Sequence, residues 1–530
     1  RNILIRIKMK KINFIKYGLF AGALVLGVSC TNLDEQITDA TELSAADADA
    51  VLVSAYAGLH NFETQDGLFA IQEVTTDFAI VPTRAGDWGD GGAWLEDHFH
   101  TWKADSREVN TAWKHMLSSV YNCDLALAIK GISPSNKAQA QFLKAYYYYN
   151  AIDMFGQVPY REAGSSNDDF PKVWDSPTAT AKIIALLEEA LPNLPAKNTS
   201  DPSIASKDAA NFLLAKIYLN KAVFDAPSHT GFNANNVANM NKVIQYVDAI
   251  SSSTSLAPDY WDNFKPSNNT SPEVILSVRN VLGVDGVAGL GINGIRSRWY
   301  MSAHYNQTPS GWNGFSVLQE YYNQFDPADR RIKNNDASII ANFGSPLGMR
   351  IGQQYEKGGA VALKTRAQND SRPLNFQSDP AGLPADGKIL AAEWLERWGI
   401  RPQKYIPDVS NMDKPENDYV LFRYADALLM KAEAIARGGV STTTPASIKA
   451  LFTARPGITT PMDLSTLTGI YTARATELWE EGWRRNDMIR FGKYTTARAT
   501  MTNTDAYRVL LPIPTTALLN PNIHQNPGYN

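Results

Sequence analysis

The chain has 530 residues, of which 44% are hydrophobic and 20% charged, an ordinary globular composition with ample length for a large core. Lys and Arg number 50 against 54 Asp and Glu; six of the basic residues lie in the first 29 positions, which hold no acid, leaving 44 against 54 and a net charge of −10 in the remainder. Such a chain is excluded as a nucleic-acid binder, because affinity for phosphate backbones comes largely from neutralisation by Lys and Arg.

The basic stretch Arg1, Arg6, Lys8, Lys10, Lys11, Lys16 precedes an apolar run, Tyr17 to Ser29, that ends at Cys30. Thirteen residues are too few for a transmembrane helix, which needs about 20. A basic region, a short apolar core and small residues before a cut describe a secretory signal peptide over 1–29, with Met9 as the natural start. Leu26-Gly27-Val28-Ser29 before Cys30 resembles a bacterial lipobox, in which the cysteine becomes the acylated first residue of the mature chain. Acyl chains, at about 0.8 kcal/mol per buried CH2, would then anchor the protein to a membrane. The other cysteine, Cys123, has no partner and reads as a small core hydrophobe. Residues 31–44 read as a polar tether.

Helical periods follow. Leu52, Tyr56 and Leu59 share one face, with a stop near Gly58 and His60. A second helix is predicted over 109–129, with Trp113, Met116, Val120 and Leu127 inward. Further starts fall at Ser135 (with a stop at Gly156), Ser176-Pro177, Ser206 and near Val237. Spacings of roughly 30 to 40 residues between these starts suit stacked helix pairs of the tetratricopeptide kind. Residues 251–415 are rich in Gly, Asn, Ser and Pro, with a brief apolar run at Val274–Val278, and read as a long functional insertion. Helices resume over 419–436 and 471–491, and 507–514 reads as extended. The predicted fold is mainly α, a helical body over about 45–250 and 416–495 with a large loop-rich ligand face and few short strands. The whole of 45–530 is expected to be a single domain.

Catalytic signatures are absent: no His-Glu-x-x-His, Gly-x-Ser-x-Gly or complete Gly-x-x-x-x-Gly-Lys-Ser/Thr motif occurs. Gly289 to Gly294 matches Gly-x-Gly-x-x-Gly but lacks the surrounding βαβ pattern, and reads as a flexible loop. His98 and His100 have no evident third ligand, so no metal or cofactor is expected. Glu477, Glu480 and Glu481 alternate with Arg474, Arg484 and Arg485 at helical spacings, the pattern of stabilising ion pairs rather than of a glycosidase acid and nucleophile.

The aromatic residues carry more information. Trp88, Trp94, Trp102 and Trp113 fall within 26 residues, and Trp88 sits in Gly86-Asp87-Trp88-Gly89-Asp90-Gly91-Gly92, without apolar neighbours at a regular period. Trp299 and Tyr300, in the second irregular region, have the same character. An exposed ring among polar groups suits a sugar, whose C–H face stacks while its hydroxyls hydrogen-bond. Packing against the helical body is the competing expectation, stronger for Trp94 and Trp102 than for Trp88.

Ordered motifs then point to a family. They are Phe142 to Tyr149 (FLKAYYYY) with Phe155 to Pro159 (FGQVP), Leu213 to Leu219 (LLAKIYL) and Phe325 to Arg331 (FDPADRR). Arg423 to Ala434 (RYADALLMKAEA), Glu477 to Arg485 (ELWEEGWRR) and Pro512-Ile513-Pro514 with Gln525 to Tyr529 complete the set. With these motifs the chain resembles the SusD/RagB family, surface lipoproteins of the Bacteroidetes that capture nutrients for outer-membrane transport. The resemblance implies four tetratricopeptide-like helix pairs, no catalysis, an outer-membrane location facing outward, and partnership with a SusC-like TonB-dependent transporter. It implies an oligo- or polysaccharide ligand held on an aromatic arc made by loops. By position, the corresponding residues are Asp77, Arg84, Trp88, Trp299 and Tyr300, with Arg372 and Tyr405 added. The alternatives are a peptide-capturing member of the family and a surface glycosidase. Arg423, Asp426 and Glu433 look like an internal ion-pair network.

Overall fold

The computed structural model describes residues 47–162, 169–232, 235–280, 294–366, 372–378, 382–412 and 414–529. The predicted signal peptide, Cys30 and the tether lie outside the described residues, as do residues 289–293 of the glycine motif. Residues 43–530 form one unit. Among the described residues no helix is long and apolar enough to cross a membrane.

Helices dominate and strands are few and short, as predicted. In the first half they are α1 (Ala48–Ala57), α2 (Ala93–His98), α3 (Arg107–Leu127), α4 (Pro134–Phe155), α5 (Ser176–Ala190), α6 (Lys207–Asp225) and α7 (Val237–Asp248). From α3 to α7 each helix packs on the next, the stacked-pair arrangement that the spacing of their starts implies. Local chemistry sets their ends. Ser133 rather than Ser135 caps α4, its side chain accepting the Asn136 N–H at 3.1 Å with Pro134 in the first turn, and Gly156 closes the helix in the left-handed conformation as expected. Ser206 caps α6 as expected, whereas Asp175 rather than Ser176 caps α5. From Ala138 to Phe155 only Lys144 of α4 is not buried, so this helix is wrapped on all sides. Cys123 packs in the same core.

The insertion holds α8 (Ser297–Tyr300), α9 (Gln319–Tyr322), α10 (Ala337–Phe343) and two- or three-stranded sheets. The chain returns to the body through α11 (Tyr424–Ala436), α12 (Pro445–Thr453), α13 (Leu467–Leu478) and α14 (Arg484–Arg490). Two expectations are corrected here. Residues Tyr419–Arg423 form a fully buried strand, antiparallel to Val274–Val278, and the helix begins only at Tyr424. Tyr-Val-Leu-Phe is an aromatic and branched run buried on both faces, which periodicity cannot separate from a buried helix. The helix expected over 471–491 breaks at Trp479–Trp483, where Glu480 and Gly482 take positive φ. The stretch expected to be extended from Tyr507 begins instead with a 3-10 turn, Ala506–Val509.

Between the body and the returning helices lies a buried ionic lattice. Arg423 pairs with Glu273 (2.8 Å), Glu477 (2.8 Å) and Glu481 (2.6 Å), and Glu477 also meets Arg331 (3.2 Å) and Arg455 (2.8 Å). A second group links Asp426 to Lys216 and Arg474, Asp487 to Arg474 and Arg490, and Glu433 to Arg437 and Arg490. The internal network expected around Arg423, Asp426 and Glu433 is present. The helical-spacing pairing expected for residues 474–485 is not. Glu477 reaches across the chain, Arg484 pairs with Asp77, and Arg485 with Asp153. Glu480 has no ion pair among the described residues.

Candidate ligand cleft

The first loop is fastened from beneath. Asp77 takes a two-pronged ion pair from Arg484, at 2.7 and 2.6 Å. Four residues earlier, buried Glu73 accepts the Gly482 N–H at 2.6 Å. Asp77 therefore ties the base of the loop to the break before α14 instead of facing a ligand. Arg84 is likewise inside, 4% exposed. Its guanidinium donates to the carbonyls of Leu395 (3.0 Å), Gly314 (3.3 Å) and Trp398 (3.1 Å) and to Ser316 Oγ (3.0 Å). Burial lowers its pKa to about 9. It clips three loops together as a hub, and that role uses the donors a ligand would need.

Glu73 makes stability depend on pH. Burial pushes its carboxyl up to about 8, against the opposing pull of the Gly482 N–H, Lys404 and Arg484, and neighbouring Glu480 adds to the rise. Burial also raises Glu480, to about 7. A folded-state pKa above the unfolded value means the native state keeps a proton that the unfolded chain has released. Stability is thus fully present below about 4.5 and falls as pH rises towards 8. Glu73→Gln retains an oxygen for Gly482 and is expected to flatten the decline. Urea unfolding at pH 5, 6.5 and 8 checks this, and equal slopes for variant and wild type would refute it.

Above this base the chain turns tightly. Arg84 and Asp87 exchange backbone hydrogen bonds, and Trp88 sits at φ 60°. Trp88 is half-buried rather than isolated. Its ring lies 5.6 Å from Trp94, 5.8 Å from Phe315 and 6.4 Å from Trp312, centroid to centroid, and its indole N–H donates to the Trp312 carbonyl at 2.7 Å. The close approach requires a glycine at 314, where a Cβ would fall 2.2 Å from the Trp88 ring. Trp94 and Trp102 are buried, as the packing expectation for them had it.

The remaining sequence-predicted residues divide. Trp299 is 0% exposed and belongs to the main core, so the expected exposed ring is corrected: α8 turns it inward. Tyr300, one residue on, is half-buried and lies 5.9 Å from the Trp312 ring, with the Arg296 guanidinium 4.7 Å over it. Tyr405 is also 0% exposed, packed against Phe264 and Tyr419, and its hydroxyl accepts the Val420 N–H at 2.9 Å. It is a core residue. Arg372 is exposed and accepts the Thr365 N–H through its carbonyl, beside Arg366, but is not itself among the residues that line the cleft.

What remains is a row, Trp88–Trp312–Tyr300, beside an open cleft of about 390 Å³ lined by Gln65, Asp87, Trp88, Asp90, Tyr305, Trp312 and Arg366. Tyr305 donates to Asp87 Oδ2 at 3.0 Å, and the Arg366 guanidinium lies 3.6 Å from the Tyr305 ring centre. Asp90 accepts the Trp94 indole N–H at 2.6 Å and keeps its other oxygen for solvent. Flat apolar faces therefore alternate with acceptors and one guanidinium, a surface able to stack a ring and hydrogen-bond its hydroxyls. Trp312 went unnoticed in the sequence, yet Gly311-Trp312-Asn313-Gly314 repeats the glycine-flanked setting of Trp88. Tyr305 and Arg366 carry no such signature.

Two family models match the chain: one described as the SusD family over residues 272–529, and one described as starch-binding associating with outer membrane over 94–209. The chain belongs to the SusD/RagB family. A relative, the starch-binding protein SusD of Bacteroides thetaiotaomicron, is 25% identical over 98% of this chain and 100% of its own. The SusD-like protein P38 of Formosa agariphila is 22% identical over 79% of each. Among solved structures, a laminarin-binding SusD-like protein superposes with a TM-score of 0.65 at 20% identity, covering 92% of this chain and 100% of that one. A surface glycan-binding protein A of B. thetaiotaomicron in complex with laminarihexaose gives 0.66 at 19% identity, over 91% and 99%. At such identities the structural likeness establishes the fold.

The motifs at 325–331, 423–434 and 477–485 carry buried charges. Of the three acids considered for a glycosidase, Glu477 and Glu481 are buried in ion pairs, Glu477 held well below the usual carboxylate range, against the opposing effect of burial, by Arg455, Arg423 and Arg331, while Glu480 is buried without an ion pair among the described residues. His98 and His100 are buried, the latter between Trp102 and Tyr494.

Proposed function

We propose that this protein is a cell-surface glycan-binding lipoprotein that captures oligo- or polysaccharide without cleaving it and passes it to a SusC-like TonB-dependent transporter. The observation that carries the reading is the row Trp88–Trp312–Tyr300 beside a cleft lined by Asp87, Asp90 and Arg366. Sugar rings stack on such faces, and the polar rim takes their hydroxyls. The starch-binding relative and the laminarihexaose-bound structural neighbour support a glycan as ligand. Incubation of the pure protein with a panel of polysaccharides tests this: retention of a glycan without release of shorter products is expected. Shortened products, or retention of peptides alone, would refute it.

In this reading residues 1–29 are removed on export, Cys30 is acylated, and 31–44 tether the domain 45–530 to the outer membrane. The family model described as associating with outer membrane supports that location. Cys30→Ala is expected to yield a folded protein that no longer sediments with the outer membrane. Continued retention would remove the lipid anchor from the proposal, and failure to co-purify a barrel transporter from native membranes would remove the partner.

A further inference from the structure

Glu396 is bonded to the backbone of the cleft residue Arg366, with its side chain 13% exposed. One of its oxygens, Oε2, accepts two hydrogen bonds: the backbone N–H of Arg366 at 2.6 Å and Nε2 of His304 at 2.8 Å. The Asn306 N–H donates to Nδ1 of the same imidazole at 3.0 Å, so the ring proton sits on Nε2 and points at Glu396. Asn306 Nδ2 also reaches the Lys364 carbonyl at 3.0 Å, a second stitch between the same two segments. Each segment carries one residue of the cleft wall. Tyr305 lies between His304 and Asn306, and Arg366 lies two residues beyond Lys364. Their side chains meet as a guanidinium over a ring, and the Tyr305 hydroxyl continues to Asp87, next to Trp88. Glu396 is itself fixed from behind, its carbonyl accepting from Arg401 Nη2 at 3.2 Å.

We propose that Glu396 is a positioning residue of the cleft: a single carboxylate oxygen holds the 304–306 and 364–366 segments together and so fixes the Tyr305–Arg366 part of the wall that Trp88 and Trp312 share. The inference rests on the glycan-binding reading. Neither segment lies in a regular helix or strand, so without Glu396 the wall loses two of its fixed points and must be ordered each time a ligand binds. Both donors use the same oxygen, and this makes the role separable from charge. In Glu396→Gln the amide carbonyl accepts both bonds, whereas Glu396→Ala offers no acceptor.

The test uses the full chain, hydrogen exchange read at 304–306 and 364–366, and calorimetry with a glycan retained in the panel. E396A is expected to exchange faster at both segments and to bind about tenfold more weakly, with E396Q close to wild type in both. H304A, which cuts only one arm, is expected to loosen 304–306 and weaken binding to a lesser degree. Wild-type exchange and affinity in E396A, or an E396Q as impaired as E396A, would overturn the proposal. Collapse of the fold in both E396A and H304A would make Glu396 a support of the whole body and overturn it equally. Should wild type retain no glycan, the glycan reading fails, while the exchange measurement still decides whether Glu396 holds the two segments.

Discussion

Trp88→Ala is expected to weaken glycan binding about thirtyfold, or about 2 kcal/mol, the loss typical of a central aromatic anchor. It is also expected to lower the melting temperature. An isolated exposed ring would leave stability unchanged, but Trp88 packs on Trp94 and Phe315 and donates to the Trp312 carbonyl. Being half-buried, it should cost less than the roughly 3–5 kcal/mol of a fully buried tryptophan. Trp312→Ala separates the two effects. It removes the neighbouring ring while keeping the main-chain carbonyl that Trp88 uses, so affinity should fall with a smaller change in stability. Calorimetry beside thermal melts measures both quantities. Lowered melting temperatures with unchanged affinity in both variants would make this row a packing feature only.

Glu477→Ala is expected to be among the most destabilising single changes in the body. Its carboxylate faces Arg423, Arg331 and Arg455, all three guanidinium groups being no more than 3% exposed. Taking one partner from a buried ion pair costs about 3–5 kcal/mol, because the remaining charge is left without compensation. Here three cations lose a shared anion and keep only Glu273, Glu481 and Asp329. That is a large part of the roughly 5–15 kcal/mol that holds a domain folded. Glu477→Gln, which retains neutral acceptors, should fall between the alanine variant and wild type. Urea unfolding curves of the three proteins check the order. A loss below about 1 kcal/mol in the alanine variant would mean that the lattice relaxes around the gap.

The helical body was legible because its signals are local. Ser206 ahead of an apolar run and Gly156 after a long tyrosine-rich stretch mark ends by chemistry that acts within one turn, although α4 begins at the Ser133 cap rather than at Ser135. The strand Tyr419–Arg423 was not legible, since its partner lies at Val274–Val278 and its buried faces leave no alternation to read. The lattice was half legible. The alternating acids and arginines of 474–485 announced ion pairs, but their partners lie far along the chain and no spacing encodes them. The cleft divides in the same way. Glycine-flanked Trp88 pointed to it, and adjacency misled at Trp299, because four residues of helix suffice to turn one ring inward and leave the next at the surface. Arg84 and Asp77 are polar residues of a loop whose work is to hold that loop, and only their hydrogen bonds reveal it.

The span of the ionic lattice has a consequence for the order in which the chain matures. Asp153 on α4, Lys216 on α6 and Glu273 find their countercharges at Arg485, at Asp426, and at Arg423 and Arg455, all of them made much later in the chain. A chain still lacking those segments would have to bury these groups without their countercharges, and the cost of an isolated interior charge disfavours that. The early helices are therefore expected to pack fully only once the segments that carry Arg423, Asp426 and Arg485 have been made.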